Sequence, residues 1–304
     1  MYLPTLRQLE YLVAVVELNH FGRAAERCHV TQSTLSTGIK ELEFLLAAEL
    51  IERTRRSVKP TALGLDIADK ARSVLDGARE IAEAANAASN PLSGQIRLGV
   101  IPTIGPFVLP RVLGGLRRAY PDLQLLLSEE QTGVALERLS RGALDVALLA
   151  LPYDVRDFDT MALGRDALWV AMPKGHALAK RRQIKPEHLD SGEMLLLDDG
   201  HCLRDHALAA CHFAGKASGG FGTNSLYTMV EMVANGLGVT LLPEIALSSG
   251  LAKSSAIELR PLKSDGPGRE LALVWRKSYK RDADIAALGA YLRGRMAGLR
   301  VKRV

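Results

Sequence analysis

The sequence predicts an all-α N-terminal winged helix-turn-helix joined to an α/β domain of two lobes. Three observations lead there. Three helical patterns and a basic hairpin fill the first sixty residues, one long helical pattern follows, and from Gln95 strands and helices alternate. A chain of 304 residues is too long for one ordinary core and suits two or three domains.

Leu6, Leu9, Leu12, Val13 and Val16 recur at helical spacing and predict a helix over 1–18. Phe21 to Cys28 is a second, shorter pattern carrying Ala24, Ala25 and Cys28, and His29-Val30 is the turn. Thr31 is the candidate N-cap of a third helix, with Leu35, Ile39, Leu42 and Leu46 on its inner face. Its outer face begins Gln32, Ser33, Thr34, Ser36, Thr37 and Lys40. Two short helices on a tight turn, the second polar on its outer N-terminal face, describe a helix-turn-helix, whose second helix enters the major groove of DNA with its first residues at base edges. Pattern alone leaves an ordinary three-helix subdomain open. Residues 49–61 read as a two-stranded wing, with Arg53, Arg55, Arg56 and Lys59 placed to meet phosphates. This cluster reads equally as solvated surface, and Arg293, Arg295, Arg300, Lys302 and Arg303 at the end of the chain read first as solvated surface. The formal charge of +5 agrees with nucleic acid but does not require it.

From Thr61 to Ala88 runs one long pattern, with Leu63, Ile67, Ala71, Val74, Ala78, Ile81 and Ala85 at threes and fours. A long lone stripe wants a partner, so a dimerisation helix is expected; packing on the chain's own second domain is the alternative. Ser89 to Gly94 breaks the helix and reads as a hinge. Beyond it, strands are expected at 96–100, 123–127 and 145–151, and helices up to about Tyr120 and over 134–141. A second set comprises 168–172, 194–197, helices over 202–213 and 225–235, and 239–242. Strand 270–275 and helix 283–295 close the chain and return to the first lobe. This alternation implies a parallel sheet with helices on both faces. The expected division is 1–60 for the winged helix-turn-helix, 61–89 for the linker helix and 90–94 for the hinge. Residues 95–304 are expected to form the two-lobed α/β domain, lobe I being 95–166 with 271–304 and lobe II 167–270.

Hydrophobic residues are 47% and charged residues 24%, as in a soluble globular protein. The longest apolar runs, such as Ala147 to Leu151, fall far short of the ~20 residues that span a bilayer. No signal-peptide pattern opens the chain, so a cytoplasmic protein without membrane association is expected. Three cysteines, Cys28, Cys202 and Cys211, are too few and too odd for a disulfide framework. With no CxxC pair and no Cys/His set at finger spacing, no metal and no cofactor is expected.

The two cysteines nine residues apart need an account. Cys202 follows Asp198-Asp199-Gly200, a good helix start, and so sits in a first turn, where the helix N-terminus favours a thiolate. Arg204 and His201 add positive or donor character; Asp198, Asp199 and Asp205 oppose it. An inert buried thiol is the plain alternative. Cys211 lies in the stripe Leu203, Ala207, Ala210, Cys211 and Ala214, and Cys28 among apolar neighbours, so both read as packed at rest. If 202–211 were one regular helix, the cysteines would stand about 13 Å apart on opposite faces. A bond between them would require residues 200–220 to unwind, with Gly215, Gly219, Gly220 and Gly222 giving the backbone room.

The residues also carry a resemblance. Leu9-Glu10-Tyr11-Leu12, Phe21, Ala24-Ala25, Val30, Gln32-Ser33, Leu35-Ser36, Ile39, Leu42-Glu43, Leu50, Arg53-Thr54, Thr61 and Gly64 look like the LysR-type transcriptional regulators. Asn235-Gly236-Leu237-Gly238-Val239 with Leu241-Leu242-Pro243 looks like their periplasmic-binding-protein-like sensor domain. Within the family, Asp199-Gly200-His201-Cys202-Leu203-Arg204-Asp205 followed by Cys211 is similar to the peroxide-sensing members. So are Ile101-Pro102-Thr103, Gly105-Pro106, Leu109-Pro110, and Gln131-Thr132 preceded by Glu129 or Glu130. The likeness spans essentially the whole chain. It implies that Cys202 is the peroxidatic cysteine and Cys211 the resolving one, that Thr103, Thr132 and His201 line a hydrogen peroxide pocket, and that Arg204, Asp205 and Arg269 surround it. DNA contacts fall to Gln32, Ser33, Thr34 and Ser36 at bases and Arg53, Arg55 and Arg56 at phosphates. Promoter DNA, RNA polymerase and a homotetramer built as a dimer of dimers are the implied partners. His206 departs from the pattern, which has Gln there. The competing readings are a member of the family that answers a small metabolite in the inter-lobe cleft, a peroxide-reducing enzyme, which leaves the DNA module without a role, and a solute-binding protein, which the missing signal peptide opposes.

Overall fold

A computed structural model describes residues 3–53, 58–87, 91–213, 222–253, 255–263 and 269–296. The chain divides into two compact units, Met1–Asn86 and Ala87–Val304.

The first unit opens with α1 (Leu6–Leu18), α2 (Phe21–Arg27) and α3 (Gln32–Leu46). Each start is capped by a side chain. Thr5 accepts from the Gln8 N–H, His20 Nδ1 from the Arg23 N–H, and Thr31 from the Thr34 N–H. Leu12, Val15, Ala24, Leu35, Ile39 and Leu42 interdigitate beneath, and Cys28 is buried among them. Gly38 lets α1 close on α3: a Cβ there would stand 2.7 Å from the Tyr11 ring. The wing is β1 (Ile51–Arg53) paired antiparallel with β2 (Val58–Pro60), and Glu43 Oε1 accepts the Leu50 and Ile51 N–H groups that launch it. The long helix α4 (Ala62–Ala87) then begins on Thr61, whose hydroxyl accepts the Gly64 N–H.

Here the structure corrects the expected stripe. Ala68 and Ile67 join the core under α1–α3, and Ala71 and Leu75 pack on Leu9 and Val13. The first half of α4 therefore has a partner within the chain, and contacts carry the unit past residue 60. Leu63, Leu65, Val74 and Ile81 stay exposed.

In the second unit a five-stranded sheet runs in the order β4-β3-β5-β12-β6. Its members are β3 (Gly94–Val100), β4 (Leu123–Glu129), β5 (Val146–Leu151), β6 (Phe158–Asp166) and β12 (Arg269–Arg276). Helices α5 (Gly105–Ala119), α6 (Thr132–Ser140) and α10 (Asp282–Met296) cover it. The other lobe has a three-stranded sheet, β10-β7-β11, formed by β7 (Leu168–Pro173), β10 (Thr240–Pro243) and β11 (Ile257–Pro261). A short parallel pair joins β8 (Leu196–Leu197) to β9 (Gly222–Thr223). Around these pack α7 (Cys202–Ala210), α8 (Leu226–Ala234) and α9 (Glu244–Ser248).

The expected parallel sheet is mixed. β3 is parallel to β4 and β5, but β12, arriving from the other lobe, inserts antiparallel between β5 and β6. The sheet around β7 is wholly antiparallel. The hinge differs as well. Leu92 is buried in the second unit's core and its N–H donates to Asp284 Oδ1 at 2.6 Å, so that end of the segment is fastened; residues 88–90 lie outside the described residues.

Candidate functional site

Cys202 is the first residue of α7 and Thr132 the first of α6, while Thr103 sits in the turn before α5. With Ile101, Pro102, Gln131 and His201 they line one recess. Two helix N-termini thus face it, with unpaired N–H groups and the positive end of each macrodipole, a setting that favours an anion. Local sequence dictates the placement. Gly200 has φ +89°, a left-handed backbone that side chains rarely adopt, and the end of the Gln131 side chain fills the space beside it, so glycine suits this tight turn into α7. His201 is fixed by Asn224, Nε2 to Oδ1 at 2.9 Å.

The polar groups of the recess are buried. Cys202 and Thr103 are each 2% exposed and Thr132 is 1%. Arg269 Nη2 donates to Thr103 Oγ1 at 2.6 Å, which leaves the Thr103 proton to point elsewhere. Thr132 Oγ1 has no hydrogen-bond partner among the described residues. Arg269 is itself buried, its Nε 3.6 Å from Asp166 Oδ2. Burial pushes the Asp166 carboxyl up; the Arg269 guanidinium and the N–H of Ile245 oppose this. A hydroxyl with a free lone pair, a second hydroxyl polarised by a guanidinium, and a thiol at a helix start can grip a molecule of one or two oxygens. They offer no metal set, and no His/Cys/Asp/Glu cluster suited to a metal occurs among the described residues.

Arg204 and Asp205 do not enter the recess. Arg204 stands two residues past Cys202, about 200° round the helix, and bonds Asp199 Oδ1 at 2.9 Å and the Leu197 carbonyl at 3.2 Å. Asp205 is exposed. The buried place on the Cys202 side of α7 belongs instead to His206, one turn on, whose Nε2 lies 2.9 Å from the Pro152 carbonyl. Asn224 and Asp166, which hold His201 and Arg269, were not foreseen. Asn224 is remote in sequence from Cys202, and no spacing rule connects them.

The two cysteines are free and belong to different hydrophobic clusters. Cys211 is buried at the C-terminal cap of α7, and burial pushes its thiol up to about 12. Its N–H still donates to the Ala207 carbonyl at 3.0 Å, so helical spacing persists from Cys202 to Cys211 and separates them by about 13 Å. His212, at φ 57°, ends the helix earlier than the expected 213. Gly215, Gly219 and Gly220 lie outside the described residues. Burial also raises the Cys28 thiol.

On α3, Gln32, Ser33 and Thr34 are exposed and Ser36 half-buried. The Thr31 hydroxyl lies 2.9 Å from Ser33 Oγ and 2.8 Å from Thr34 Oγ1, so these short side chains are tethered to the cap. Arg53 ends β1; Arg55 and Arg56 lie outside the described residues.

Comparison with known proteins places this arrangement. The lysR-family bacterial regulatory helix-turn-helix matches residues 6–65, and the LysR substrate binding domain matches residues 89–297. The chain belongs to the LysR family of transcriptional regulators. It is 42% identical over 277 residues to the HTH-type transcriptional regulator EstR of Acinetobacter baylyi, covering 91% of this chain and 92% of that one. It is 37% identical over 294 residues to the dual regulator OxyR of Escherichia coli, covering 96% of each. Among solved structures, a full-length OxyR variant from Pseudomonas aeruginosa matches with TM-score 0.81 and 36% identity over 99% of this chain and 97% of that one. A hydrogen-peroxide-bound OxyR variant from Corynebacterium glutamicum matches with TM-score 0.67 and 32% identity, over 98% and 94%. No helix among the described residues is long and apolar enough to cross a membrane.

Proposed function

We propose that this regulator activates transcription in answer to hydrogen peroxide, with Cys202 as the attacked thiol and Cys211 as its resolving partner. The observation that carries the reading is the recess itself: Cys202 faces the unpartnered Thr132 hydroxyl and a Thr103 hydroxyl held by Arg269. The OxyR likeness over nearly the whole chain supports it. In the first step the Cys202 thiolate attacks one peroxide oxygen and the O–O bond breaks. The leaving hydroxide takes a proton and departs as water, and Cys202 is left as a sulfenic acid. Thr103, Thr132 and His201 hold the two oxygens. In the second step the Cys211 thiol displaces the hydroxyl from sulfur, releasing a second water and closing the disulfide. With its thiol held near 12 in an apolar cluster, Cys211 cannot attack until it leaves that cluster.

On the DNA side, Gln32, Ser33, Thr34 and Ser36 read base edges and Arg53, Arg55 and Arg56 contact phosphates. The exposed Leu63, Val74 and Ile81 along α4 suit pairing of α4 with a second copy. Two such dimers make the tetramer, which recruits RNA polymerase. A promoter-reporter assay tests the whole. The wild type activates on peroxide and Cys202→Ser does not, while retaining DNA binding; a full response from Cys202→Ser refutes the assignment.

A second reading has its own observation. EstR, 42% identical, bears a name without reference to peroxide. On that reading the regulator answers a small metabolite between the lobes, and the thiols are packing residues that peroxide leaves unmodified.

A further inference from the structure

We propose that His206 couples the redox switch to acidity: when Cys202 and Cys211 join, the imidazole is released from its buried place, and below neutrality it takes up a proton that favours the oxidised form. The inference rests on the disulfide reading above.

His206 stands four residues after Cys202 and five before Cys211, at the centre of the segment that must open if ~13 Å is to close to the less than about 7 Å between Cα atoms that a disulfide allows. It is buried, and its ring is held by one bond, Nε2 to the Pro152 carbonyl at 2.9 Å. A carbonyl only accepts, so Nε2 carries the proton and Nδ1 is bare. That Nδ1 is buried with no hydrogen-bond partner among the described residues. The titratable and charged groups around it are Arg269 from β12, itself set against Asp166 of β6, then Tyr153 beside Pro152, and Asp205 and Cys202 on α7. Burial, and the nearby Arg269 cation, hold the imidazole below its usual range against the pull of the Pro152 carbonyl and Asp205.

Released into water, the ring returns to its ordinary value of about 6.5. The reduced form binds fewer protons at His206 than the opened one. Its advantage is therefore present above about pH 6.5 and is lost as pH falls from there toward the depressed value. Comparison of the wild type with a His206 variant in exchange with glutathione disulfide isolates this contribution. Two protein thiols and one glutathione disulfide become one protein disulfide and two glutathione thiols with no net proton; to the extent that Cys202 starts as a thiolate, one proton is taken up as well, in both proteins alike. Uptake by His206 adds one proton to the left side.

The test equilibrates the full chain with glutathione buffers from pH 7.5 to 5.5, quenches by alkylation, and reads the Cys202–Cys211 peptide by mass spectrometry. As pH falls across this range the equilibrium constant for oxidation should rise by up to about tenfold more in the wild type than in His206→Gln, which keeps a donor for Pro152. An NMR titration of the wild-type His206 ring, below 6.5 reduced and near it oxidised, checks the cause without a variant. A His206→Gln protein that follows the wild-type curve across this range overturns the coupling. If no Cys202–Cys211 bond forms at any glutathione ratio, the disulfide reading falls and takes this inference with it.

Discussion

At the scale of single residues, the recess turns on who donates to whom. Because Arg269 donates to Thr103, the threonine proton is available to a ligand oxygen. Thr103→Val keeps the shape and removes that donor, so oxidation of Cys202 should slow by about 10- to 100-fold, read by stopped-flow peroxide consumption; because Arg269 Nη2 loses its acceptor, the variant should also lose about 1–3 kcal/mol of stability while still folding. Arg269 has a second task. It neutralises Asp166, whose carboxylate also accepts the Ile245 N–H at 3.0 Å. Arg269→Met leaves that buried carboxylate uncompensated and should cost about 3–5 kcal/mol. Burial already raises the Asp166 carboxyl, and a raised folded-state value means stability that is present at low pH and lost as pH rises. The variant should therefore melt higher at pH 5 than at pH 8, and a melting temperature that instead falls with acid contradicts this role for Asp166.

At the scale of elements, the strongest sequence signals gave the right objects. The Thr31 cap, the Leu35–Ile39–Leu42 face and the Asp-Gly run before Cys202 marked α3 and α7, because capping and periodicity are local chemistry. The strands β6 and β11 escaped notice. β6, with Asp159, Gly164 and Arg165, shows no clean alternation and exists because β12 pairs with it; β11 does alternate, Ile257-Glu258-Leu259-Arg260, but over four residues that Pro261 closes, and it is held by pairing with β7. The same limit applied to the site. The thiol and threonines lie in motifs, whereas Asn224, Asp166 and the exclusion of Arg204 follow from three-dimensional packing. Close approach is visible only in the fold as well. A side chain at Gly64 would collide with the Leu50 carbonyl at the foot of the wing, so Gly64→Ala should cost about 1–3 kcal/mol and weaken DNA binding, measured by chemical denaturation and by titration with operator. Wild-type stability in that variant would show that the wing and α4 are not locked together there.

At the scale of the whole molecule, two functions must meet: reading DNA and registering an oxidant. For the first, Arg53→Gln should lower the log–log salt slope of DNA binding by about one unit on every sequence, and Gln32→Ala should change which sequences are preferred. An unchanged slope removes Arg53 from the interface. For the second, the helical span between Cys202 and Cys211 sets the condition: the thiols join only if α7 opens. The most direct measurement treats the intact protein with one equivalent of peroxide, maps its thiols by mass spectrometry, and follows hydrogen exchange on the same sample. The account predicts a Cys202–Cys211 linked peptide, a free Cys28, and lost protection across Cys202–Cys211. Unmodified Cys202, or the linked peptide with α7 protection unchanged, would contradict it.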